Sequence, residues 1–301
     1  MSPGTGFVRA LVPRSARNWL RDPRLTFRRA ADEVRYLMGV TTDRDLLPGW
    51  HVRCHPAAWR EAYAPQVGDA AQLRELQAFA RAASPGMVLF DLGAHYGAFS
   101  LAALHFGGPG ARAVAVDPSP AAVRMIHRQA RLNDVAGRLT VLRAAAAEHD
   151  GEIELVAAGI IAAGYYVPPD ERHPASERTR VPGLTVDALV ERTGMHPSHL
   201  KIDVEGAEAG VLRGARRTLR ASRAPIVFLE LHAAMIRAGG GDAAEPLDLL
   251  DDAGYELVDW DGVPRRPADL VRHDLVRLFA RHRGWQPTIA PAGEHPHYPG
   301  A

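Results

Sequence analysis

The sequence predicts an α/β fold, with a mostly parallel sheet that carries helices on both of its faces. Short apolar runs alternate with segments of helical periodicity, which is the pattern of repeated strand–helix units. The runs are residues 87–90, 113–116, 139–142, 200–204 and 226–231. Most of them end in polar residues, and the carboxyl ends of parallel strands share the edge at which open α/β sheets bind ligands. This layout is typical of an enzyme.

The stretch 87–99, M-V-L-F-D-L-G-A-H-Y-G-A-F, joins an apolar strand to a glycine turn and the start of a helix. These are the ingredients of a nucleotide-type cofactor site. Gly93 allows a sharp turn and a close approach of a ligand, and Gly97 allows the new helix to pack tightly on the sheet. The spacing is D-x-G-x-x-x-G, because His95 stands where a dinucleotide fold has its middle glycine.

The acidic residue just before the first glycine, Asp91, favours a ligand that carries positive charge over a pyrophosphate. S-adenosylmethionine has an ammonium and a sulfonium group, so a methyltransferase is the first interpretation of this stretch. A nicotinamide or flavin fold is a second interpretation, and a purely structural glycine turn is a third.

A second acidic residue, Asp117, follows the next strand, 26 positions after Asp91. Folds of this type place an acid on the ribose hydroxyls about 20 residues after the first glycine turn. The alternative is that Asp117 caps the helix that starts near Pro120. Further along, the small residues 144–147 can lie flat against a planar base.

Charged residues are written into the strand at 200–204. A strand period of 2 puts Lys201 and Asp203 on one face, and Glu230 and His232 share a face at the end of the next strand. Charges between layers of helices are costly to bury unless they are paired or used. Lys201 is the only lysine of the chain, which suggests a position where arginine would not serve as it does elsewhere.

The composition bounds the remaining possibilities. The 301 residues allow one large domain with an extension or two small domains, and a formal net charge of +1 argues against nucleic-acid binding. The single cysteine, Cys54, excludes a disulfide framework and suits a reducing compartment. We found neither an apolar run of about 18 residues nor the apolar region of a signal peptide. These features predict a cytoplasmic protein without a membrane span.

The N-terminal region has its own pattern. Residues 25–38 predict a basic amphipathic helix, which either packs one face on the main domain or meets an acidic partner or a membrane surface. Residues 50–63 are rich in Trp, His and Tyr and form either a wall of a substrate pocket or ordinary packing. Residues 159–182 predict a loop over the site, and the tail 286–301 shows no apolar periodicity.

Together these blocks resemble the FkbM family of S-adenosylmethionine-dependent methyltransferases. The resemblance rests on V-L-F-D-L-G-A-H-Y-G-A-F-S (88–100), A-V-D-P-S (115–119), D-G-E-I-E-L (150–155) and L-K-I-D-V-E-G-A-E-A-G-V-L-R-G-A (200–215). It covers residues 84–232 well. It implies a Rossmann-like class I methyltransferase domain with a seven-stranded sheet, over residues 81–285, preceded by a helical extension at 1–80 that covers the substrate.

The resemblance also implies site residues. The methyl donor is expected on the residues of the glycine turn and the two strands beside it, namely Asp91, Gly93, Ala94, Gly97, Asp117, Pro118 and Ala145. Members of such families mostly methylate hydroxyl groups of natural products or sugars, so the expected partner is a small hydroxylated acceptor of secondary metabolism. A hydroxyl needs a proton acceptor within about 3 Å. The catalytic candidates are Lys201, Asp203, Glu205, Glu230 and His232.

Several alternatives stay open at this level. The same carboxylates can hold a divalent metal, as in catechol-type methyltransferases, although we expect no metal here. A nicotinamide-dependent oxidoreductase is disfavoured, because the sequence lacks both the middle glycine of its fingerprint and a Tyr-x-x-x-Lys pair. A non-catalytic binding module is disfavoured by the intact polar strand ends. The sequence does not choose the base, the acceptor or the oligomeric state.

Overall fold

The computed structural model describes residues 23–157, 164–166 and 178–283 of the chain. The helices are α1 (Pro23–Leu37), α2 (Pro56–Ala58), α3 (Ala64–Gly68), α4 (Ala70–Ala82), α5 (Ala98–Phe106), α6 (Pro120–Leu132), α7 (Val186–Thr193), α8 (Glu208–Arg213), α9 (Arg216–Leu219), α10 (Ala233–Ala238), α11 (Glu245–Asp252) and α12 (Pro267–Leu270). A π-helical turn at Trp59–Tyr63 joins α2 to α3, and a 3-10 turn lies at Ala136–Arg138.

The strands form three sheets. They are β1 (Thr42–Leu47), β2 (Trp50–Cys54), β3 (Val88–Leu92), β4 (Arg112–Val116), β5 (Leu139–Leu142), β6 (Ala145–Ala146), β7 (Gly151–Ala157), β8 (Gly164–Tyr166), β9 (Arg178–Leu184), β10 (His199–Ile202), β11 (Ile226–Leu231), β12 (Tyr255–Val258) and β13 (Val276–His282). The main sheet has seven strands in the order β12-β13-β11-β10-β3-β4-β5. The predicted sheet of seven mostly parallel strands is therefore confirmed.

The order of the main sheet explains where a ligand can bind. Strands β11, β10, β3, β4 and β5 run parallel, and β13 is antiparallel to both β11 and β12. The chain leaves β3 for β4 in one direction and later returns to β10 on the other side of β3. A sheet opens a crevice where the strand order reverses in this way. Asp91, in β3, pairs with Lys201, in β10, at this switch point.

Apolar residues cover both faces of the main sheet. One core cluster joins β10 and β11 to α7, α8 and α11, and includes Val211 and Leu247. The other joins the opposite face to α4 and α5, and includes Phe79 and Leu104. The strands are buried on both faces, so their sequences are almost continuously apolar.

The sequence predicts a helical extension at residues 1–80, but the described part of this extension is not purely helical. Residues 42–54 form the antiparallel hairpin β1–β2. Gly49 turns the chain with a φ of 76°, and β2 alternates buried and exposed residues so that Trp50, Val52 and Cys54 point into the core. A strand period of 2 next to a glycine turn favours a hairpin over a helix.

The predicted N-terminal helix is present as α1, but its apolar residues do not pack on the domain. Phe27, Val34 and Leu37 are 77%, 52% and 76% exposed. The helix instead contacts the domain through its other side, where Arg60 donates to Asp32 at 2.6 Å and the Arg128 guanidinium lies 4.5 Å from the centre of the Tyr36 ring. Residues 1–22 lie outside the described residues.

A smaller sheet, β6-β9-β7-β8, borders the carboxyl edge of the main sheet. It confirms the predicted arm at 152–156 as part of β7, which pairs antiparallel with β9. The predicted loop at 159–182 is wrong at two places, because residues 164–166 form β8 and residues 178–182 belong to β9. Residues 159–163 and 167–177 of that loop, and the tail 286–301, lie outside the described residues. Among the described residues, no helix is both long and apolar enough for a bilayer.

Gly93 brings the two strands at the switch point into direct contact. Its φ is 81°, and a Cβ at this position would lie 1.8 Å from the backbone oxygen of Asp203. The turn after β3 therefore packs against the residue that ends β10. A side chain here would push these two segments apart, because the atom it meets is backbone and cannot rotate away.

We expect the substitution Gly93→Ala to destabilise the protein more than Gly108→Ala. Gly108 has a similar φ of 71° and nothing within 4 Å of its Cβ position, so this variant measures the backbone strain alone, about 1–2 kcal/mol. Gly93→Ala adds the clash with Asp203, which costs about 1–3 kcal/mol more. Urea unfolding of both variants measures the difference. Equal losses of unfolding free energy would show that the contact with Asp203 can relax to accept a Cβ atom.

Candidate active site

A cavity of about 660 Å³ opens at the carboxyl edge of the main sheet. Six of the predicted site residues line it: Gly93, Asp117, Pro118, Ala145, Asp203 and Glu205. The other six do not appear in its lining: Asp91, Ala94, Gly97, Lys201, Glu230 and His232. The lining also contains residues that the sequence analysis did not select, among them His95, Glu148, Met235 and Asp242. Its size is in the range of small-molecule sites, about 300–1,000 Å³.

Asp91 lies outside the cavity lining and bonds the start of the helix that follows the glycine turn. It is 2% exposed, and its Oδ2 accepts hydrogen bonds from the backbone N of Ser100 at 2.9 Å and from the Ser100 hydroxyl at 2.6 Å. Ser100 lies in the first turn of α5, where backbone N–H groups need acceptors. Burial raises the pKa of Asp91 to about 6, although both hydrogen bonds to Ser100 and the charge of Lys201 lower it.

Asp117 faces the cavity with both oxygens partly engaged. Its Oδ1 accepts from the backbone N of Ser119, and its Oδ2 accepts from the backbone N of His95, each at 2.8 Å. A carboxylate offers about four acceptor positions, so two remain for a ligand that donates two hydroxyls. Burial raises the pKa of Asp117 to about 7, with the two backbone hydrogen bonds opposing the shift. The alternative role in capping belongs to Ser119, whose hydroxyl accepts from Ala122 N at the start of α6.

Two residues of the cavity lining have left-handed backbone conformations without being glycine. His95 and Glu205 both have a φ of 49°. Such conformations are uncommon outside glycine and concentrate at functional sites, where the surrounding structure holds them. His95 is held by its hydrogen bond to Asp117 and by a stacked ring contact with Tyr96, with centres 4.2 Å apart.

Behind Asp203 lies a group that we call the buried ionic cluster: Glu75, Lys201, Asp203, Glu230 and Arg277. The Lys201 Nζ is 3.2 Å from Glu75 Oε1, 3.7 Å from Asp203 Oδ2 and 3.6 Å from Glu230 Oε2. Arg277 contacts Glu230 at 2.5 Å and Glu75 at 3.4 Å. Lys201 and Glu75 are each 1% exposed. The predicted shared face of Lys201 and Asp203 is thus observed, with Lys201 buried inside the cluster and Asp203 at its open end.

The charges of the cluster shift its pKa values in opposite directions. Burial raises the pKa of Glu75 and of Asp203, whereas Lys201 lowers both and only partly offsets the effect. Glu230 also experiences burial, but Lys201 and Arg277 hold its pKa below its usual value. Burial disfavours the ammonium form of Lys201, yet the three carboxylates raise its pKa. Lys201 therefore remains cationic at neutral pH.

His232 stands at the open end of the cluster, next to Asp203. Its Nδ1 lies 2.8 Å from Oε1 of Glu208, and its Nε2 lies 3.8 Å from Asp203 Oδ1 and 4.0 Å from Glu230 Oε1. Burial lowers the pKa of His232, but the bond to Glu208 and the charges of Asp203 and Glu230 raise it above its usual value. The pair of Glu230 and His232 predicted on one face is therefore brought together with Asp203.

The same three side chains have the spacing of a small cation site. One ligand atom each from Asp203, Glu230 and His232 lies within 4.8 Å of the others. However, Lys201 and Arg277 already pair with these carboxylates, and a metal cation would have to compete with the Lys201 ammonium. The arrangement fits a site with a built-in cation better than a metal site.

Sequence reasoning missed three residues of this site. Glu75 comes from α4 and Arg277 from β13, and neither belongs to a motif or to a strand end that faces the edge. Only the packing of α4 and β13 against the sheet brings them to Lys201. Glu208 lies within the quoted stretch 200–215, three residues after Glu205. Its place in that stretch is the one sequence signal that could have selected it.

The aromatic residues at 50–63 do not line the cavity. Trp50, Cys54 and Tyr63 belong to the core cluster on the α4 and α5 face, and His55 is also buried. Every lining residue of the cavity comes from position 93 or later. Of the two interpretations of this segment, ordinary packing agrees with these contacts. The domain boundaries at 80 and 285 stay predictions.

A comparison with models of protein families identifies one family for this chain. The family model described as "Methyltransferase FkbM domain" matches residues 91–257, which is more than half of the 301 residues. No curated protein sequence matches the chain.

Several solved structures are similar at low sequence identity. Precorrin-6y C5,15-methyltransferase from Geobacter metallireducens GS-15 is 15% identical with a TM-score of 0.40, over 70% of this chain and 87% of that one. Aeropyrum pernix fibrillarin, solved with natively bound S-adenosyl-L-methionine, is 16% identical with a TM-score of 0.38, over 66% and 67%. An S-adenosylmethionine-dependent methyltransferase from Geobacter sulfurreducens, in complex with S-adenosyl-L-homocysteine, is 15% identical with a TM-score of 0.34, over 62% and 68%.

The raised pKa of Asp91 predicts a pH dependence of stability. The folded protein holds this proton up to about pH 6, whereas the unfolded chain loses it near 3.8. Between these values the folded state binds more protons, so this contribution to stability is lost as pH rises. Asp91→Asn keeps an oxygen for Ser100 but cannot ionise. We expect the unfolding free energy of the wild type, relative to this variant, to fall by about 2.4 kcal/mol from pH 4 to pH 8.

Urea unfolding of both proteins across this pH range measures the change. Asp45→Asn is the matched control, because the Asp45 side chain is 83% exposed. A difference between wild type and Asp91→Asn that stays constant with pH would contradict the raised pKa.

Proposed function

This chain belongs to the FkbM family of S-adenosylmethionine-dependent methyltransferases, and we propose that it transfers the methyl group to a hydroxyl of a small natural product or sugar. The family match carries the general activity and the donor. The choice of oxygen as the methylated atom, the class of acceptor and the residues of the site are our proposal. So are the cytoplasmic location and the role of the N-terminal region as a cover over the substrate, which stay predictions.

The chain's own residues suit the donor at one end of the cavity. Asp117 has acceptor positions free for two ribose hydroxyls, and the small side chains of Ala145 and Ala146 leave a flat surface for the adenine. Gly93 presents bare backbone at the turn. The acids near the turn, with Asp203 and Glu205 on the lining, suit the positive charges of the ammonium and sulfonium groups. We propose that Asp91 acts behind these contacts, by holding the start of α5.

One observation carries the proposal of a hydroxyl acceptor: Asp203 belongs both to the cavity and to the ionic cluster. Through the contact with Gly93, it lies where the donor turn meets the end of β10. A hydroxyl is a weak nucleophile that must lose its proton as the methyl group arrives. Proton transfer to a positioned side chain contributes about 10²–10⁴-fold. A negatively charged group of carboxylates with a histidine suits this task.

The proposed reaction is a single displacement. The acceptor oxygen forms a bond to the methyl carbon, the carbon–sulfur bond breaks, and its electron pair goes to sulfur, which becomes a neutral thioether. The hydroxyl proton passes to a side chain at the open end of the ionic cluster. Lys201 lowers the pKa of Glu230, opposes the rise in the pKa of Asp203, and holds both carboxylates in place beside the hydroxyl. Alignment of the oxygen with the carbon–sulfur bond supplies most of the remaining acceleration.

The first test identifies the acceptor and the methylated atom together. We expect the protein, incubated with S-adenosylmethionine carrying a ¹³C-methyl group and a metabolite extract from cells that lack this gene, to produce a labelled methoxyl compound. Its ¹³C chemical shift separates a methoxyl carbon from methyl groups on nitrogen or carbon. The product should be absent from reactions with extract of the parent cells if the acceptor is already methylated there.

Calorimetry with S-adenosylmethionine and its homocysteine product is the control for the donor. Donor binding with a labelled N-methyl or C-methyl product would overturn the hydroxyl proposal and leave the family assignment intact. Saturable binding of NAD without binding of either donor ligand would overturn the donor as well.

The second test is the variant Asp203→Asn, assayed with the acceptor so identified. The Lys201 ammonium keeps Glu75 and Glu230 as partners, so we expect little loss of stability. Turnover should fall roughly 10²–10⁴-fold, while donor affinity changes less. Single-turnover rates, melting temperature and calorimetry on one preparation separate these quantities. A destabilised variant with full activity per folded molecule would make Asp203 a structural residue.

A further inference from the structure

The least explained group at the site is a buried carboxylate that the proposed function has not used. Glu208 is 0% exposed, at the start of α8. Its Oε1 accepts a hydrogen bond from the backbone N of Gly206 at 3.1 Å and lies 2.8 Å from Nδ1 of His232. Burial of a carboxylate is costly unless the carboxylate is hydrogen-bonded or paired. Glu208 is paired with His232.

We propose that Glu208 and His232 form a dyad in which Glu208 is a positioning residue and the Nε2 of His232 is the proton acceptor of the methyl transfer. The inference rests on the proposed function and deepens it by choosing one base among the five candidates. It also adds a residue that the sequence analysis did not select. The acceptor class stays a compound with a hydroxyl group.

The geometry of the histidine supports this choice. The Glu208 Oε1 that accepts from Gly206 N is also the atom that faces Nδ1, so as an acceptor it takes the Nδ1 hydrogen of neutral His232 and leaves the lone pair of Nε2 bare. His232 is not in the cavity lining, but its side chain is 16% exposed, and its bare nitrogen lies 3.8 Å from Asp203, which does line the cavity, and 4.0 Å from Glu230. These distances are too long for direct hydrogen bonds. A hydroxyl oxygen to one side of this pair can donate its single hydrogen to Nε2 and still lie next to Asp203.

The neighbouring charges suit a base of moderate strength. His232 faces Glu208 on α8, Asp203 after β10 and Glu230 on β11, and Glu205 adds negative charge from the cavity side. Lys201 and Arg277 lie behind these carboxylates and contact them directly. The imidazolium that forms when His232 takes the proton is therefore stabilised. The balance also explains a pKa of His232 above its usual value.

The other candidates are worse placed to accept the proton. Lys201 is cationic and buried, and Glu230 is held ionised by two cations that compete for its electron pairs. Asp203 is ion-paired with Lys201 on one oxygen and can still orient the hydroxyl with the other. Glu205 lines the cavity, but the structure records no ion pair or hydrogen bond from it to the cluster among the described contacts. Among the five candidates, His232 is the one in which a bond on one nitrogen, from Nδ1 to Glu208, leaves the other nitrogen free to accept a proton.

Nuclear magnetic resonance of the full chain tests the dyad without an acceptor. Ring ¹⁵N shifts report the tautomer and the pKa of each of the 14 histidines, and the signal missing from His232→Gln identifies His232. We expect the Nδ1-protonated tautomer and a pKa above about 6.5. Glu208→Gln still offers an oxygen to Gly206, so the turn is kept. In this variant the pKa of His232 should fall by roughly 1–3 units.

Matched controls make the outcome decisive. Glu256→Gln removes a carboxylate that pairs with Arg281 on β12 and β13 and should leave the pKa of His232 unchanged. Adding S-adenosylmethionine should lower that pKa relative to the neutral S-adenosylhomocysteine, because the sulfonium charge stands near Nε2. With an acceptor, the pH at which turnover reaches half its maximum should move with the pKa in Glu208→Gln.

Three results would overturn the dyad. One is a His232 ring that carries its hydrogen on Nε2 in the wild type. A second is an unchanged pKa in a Glu208→Gln protein that is still folded by its melting curve. A third is selective broadening of the His232 signal by Mn²⁺ together with metal-dependent turnover, which would make Asp203, Glu230 and His232 a metal site. Loss of donor binding in the wild type would overturn the proposed function instead, and calorimetry separates that result from these three.

Discussion

The rest of the site depends on one buried charge, the ammonium of Lys201. It lies in the middle of a strand that is covered on both faces, within 3.7 Å of carboxylates from α4, β11 and the end of β10, and 5.0 Å from the centre of the Phe99 ring. An isolated ammonium in this position would be lost as a charge, because desolvation strongly disfavours it. The surrounding carboxylates keep it charged, and it keeps them close together. Neither sign could be buried here without the other.

This mutual dependence explains the form of the cavity edge. The carboxylates outnumber Lys201 and Arg277, so negative charge remains at the open end, where Asp203 and His232 stand. The backbone contact between Gly93 and Asp203 then sets the distance between that end and the glycine turn. A donor that brings positive charge and an acceptor that releases a proton both suit such an edge. Asp203 contacts the glycine turn, belongs to the ionic cluster and lines the cavity.

Much of the fold could be predicted from the sequence because its signals are local. The apolar run before Asp91, the glycine turn and the period-2 strand around Lys201 each specify one element, and parallel strands bring their ends to one edge. The residues that complete the site could not be predicted in this way. Glu75 and Arg277 lie more than 70 positions from Lys201 and reach it only by packing. The hairpin at 42–54 was missed because the residues from Trp50 onward suggested a pocket, whereas the alternation along β2 places Trp50, Val52 and Cys54 in the core.

The central claim is that the acceptor oxygen and the donor sulfur meet at the open end of the ionic cluster. A crystal structure of the protein with S-adenosylhomocysteine bound tests it most directly. We predict the ribose on Asp117, the adenine beside Ala145, and the sulfur directed toward the space between Asp203 and His232. A sulfur atom directed away from that space, with the cluster closed off from the ligand, would contradict the account.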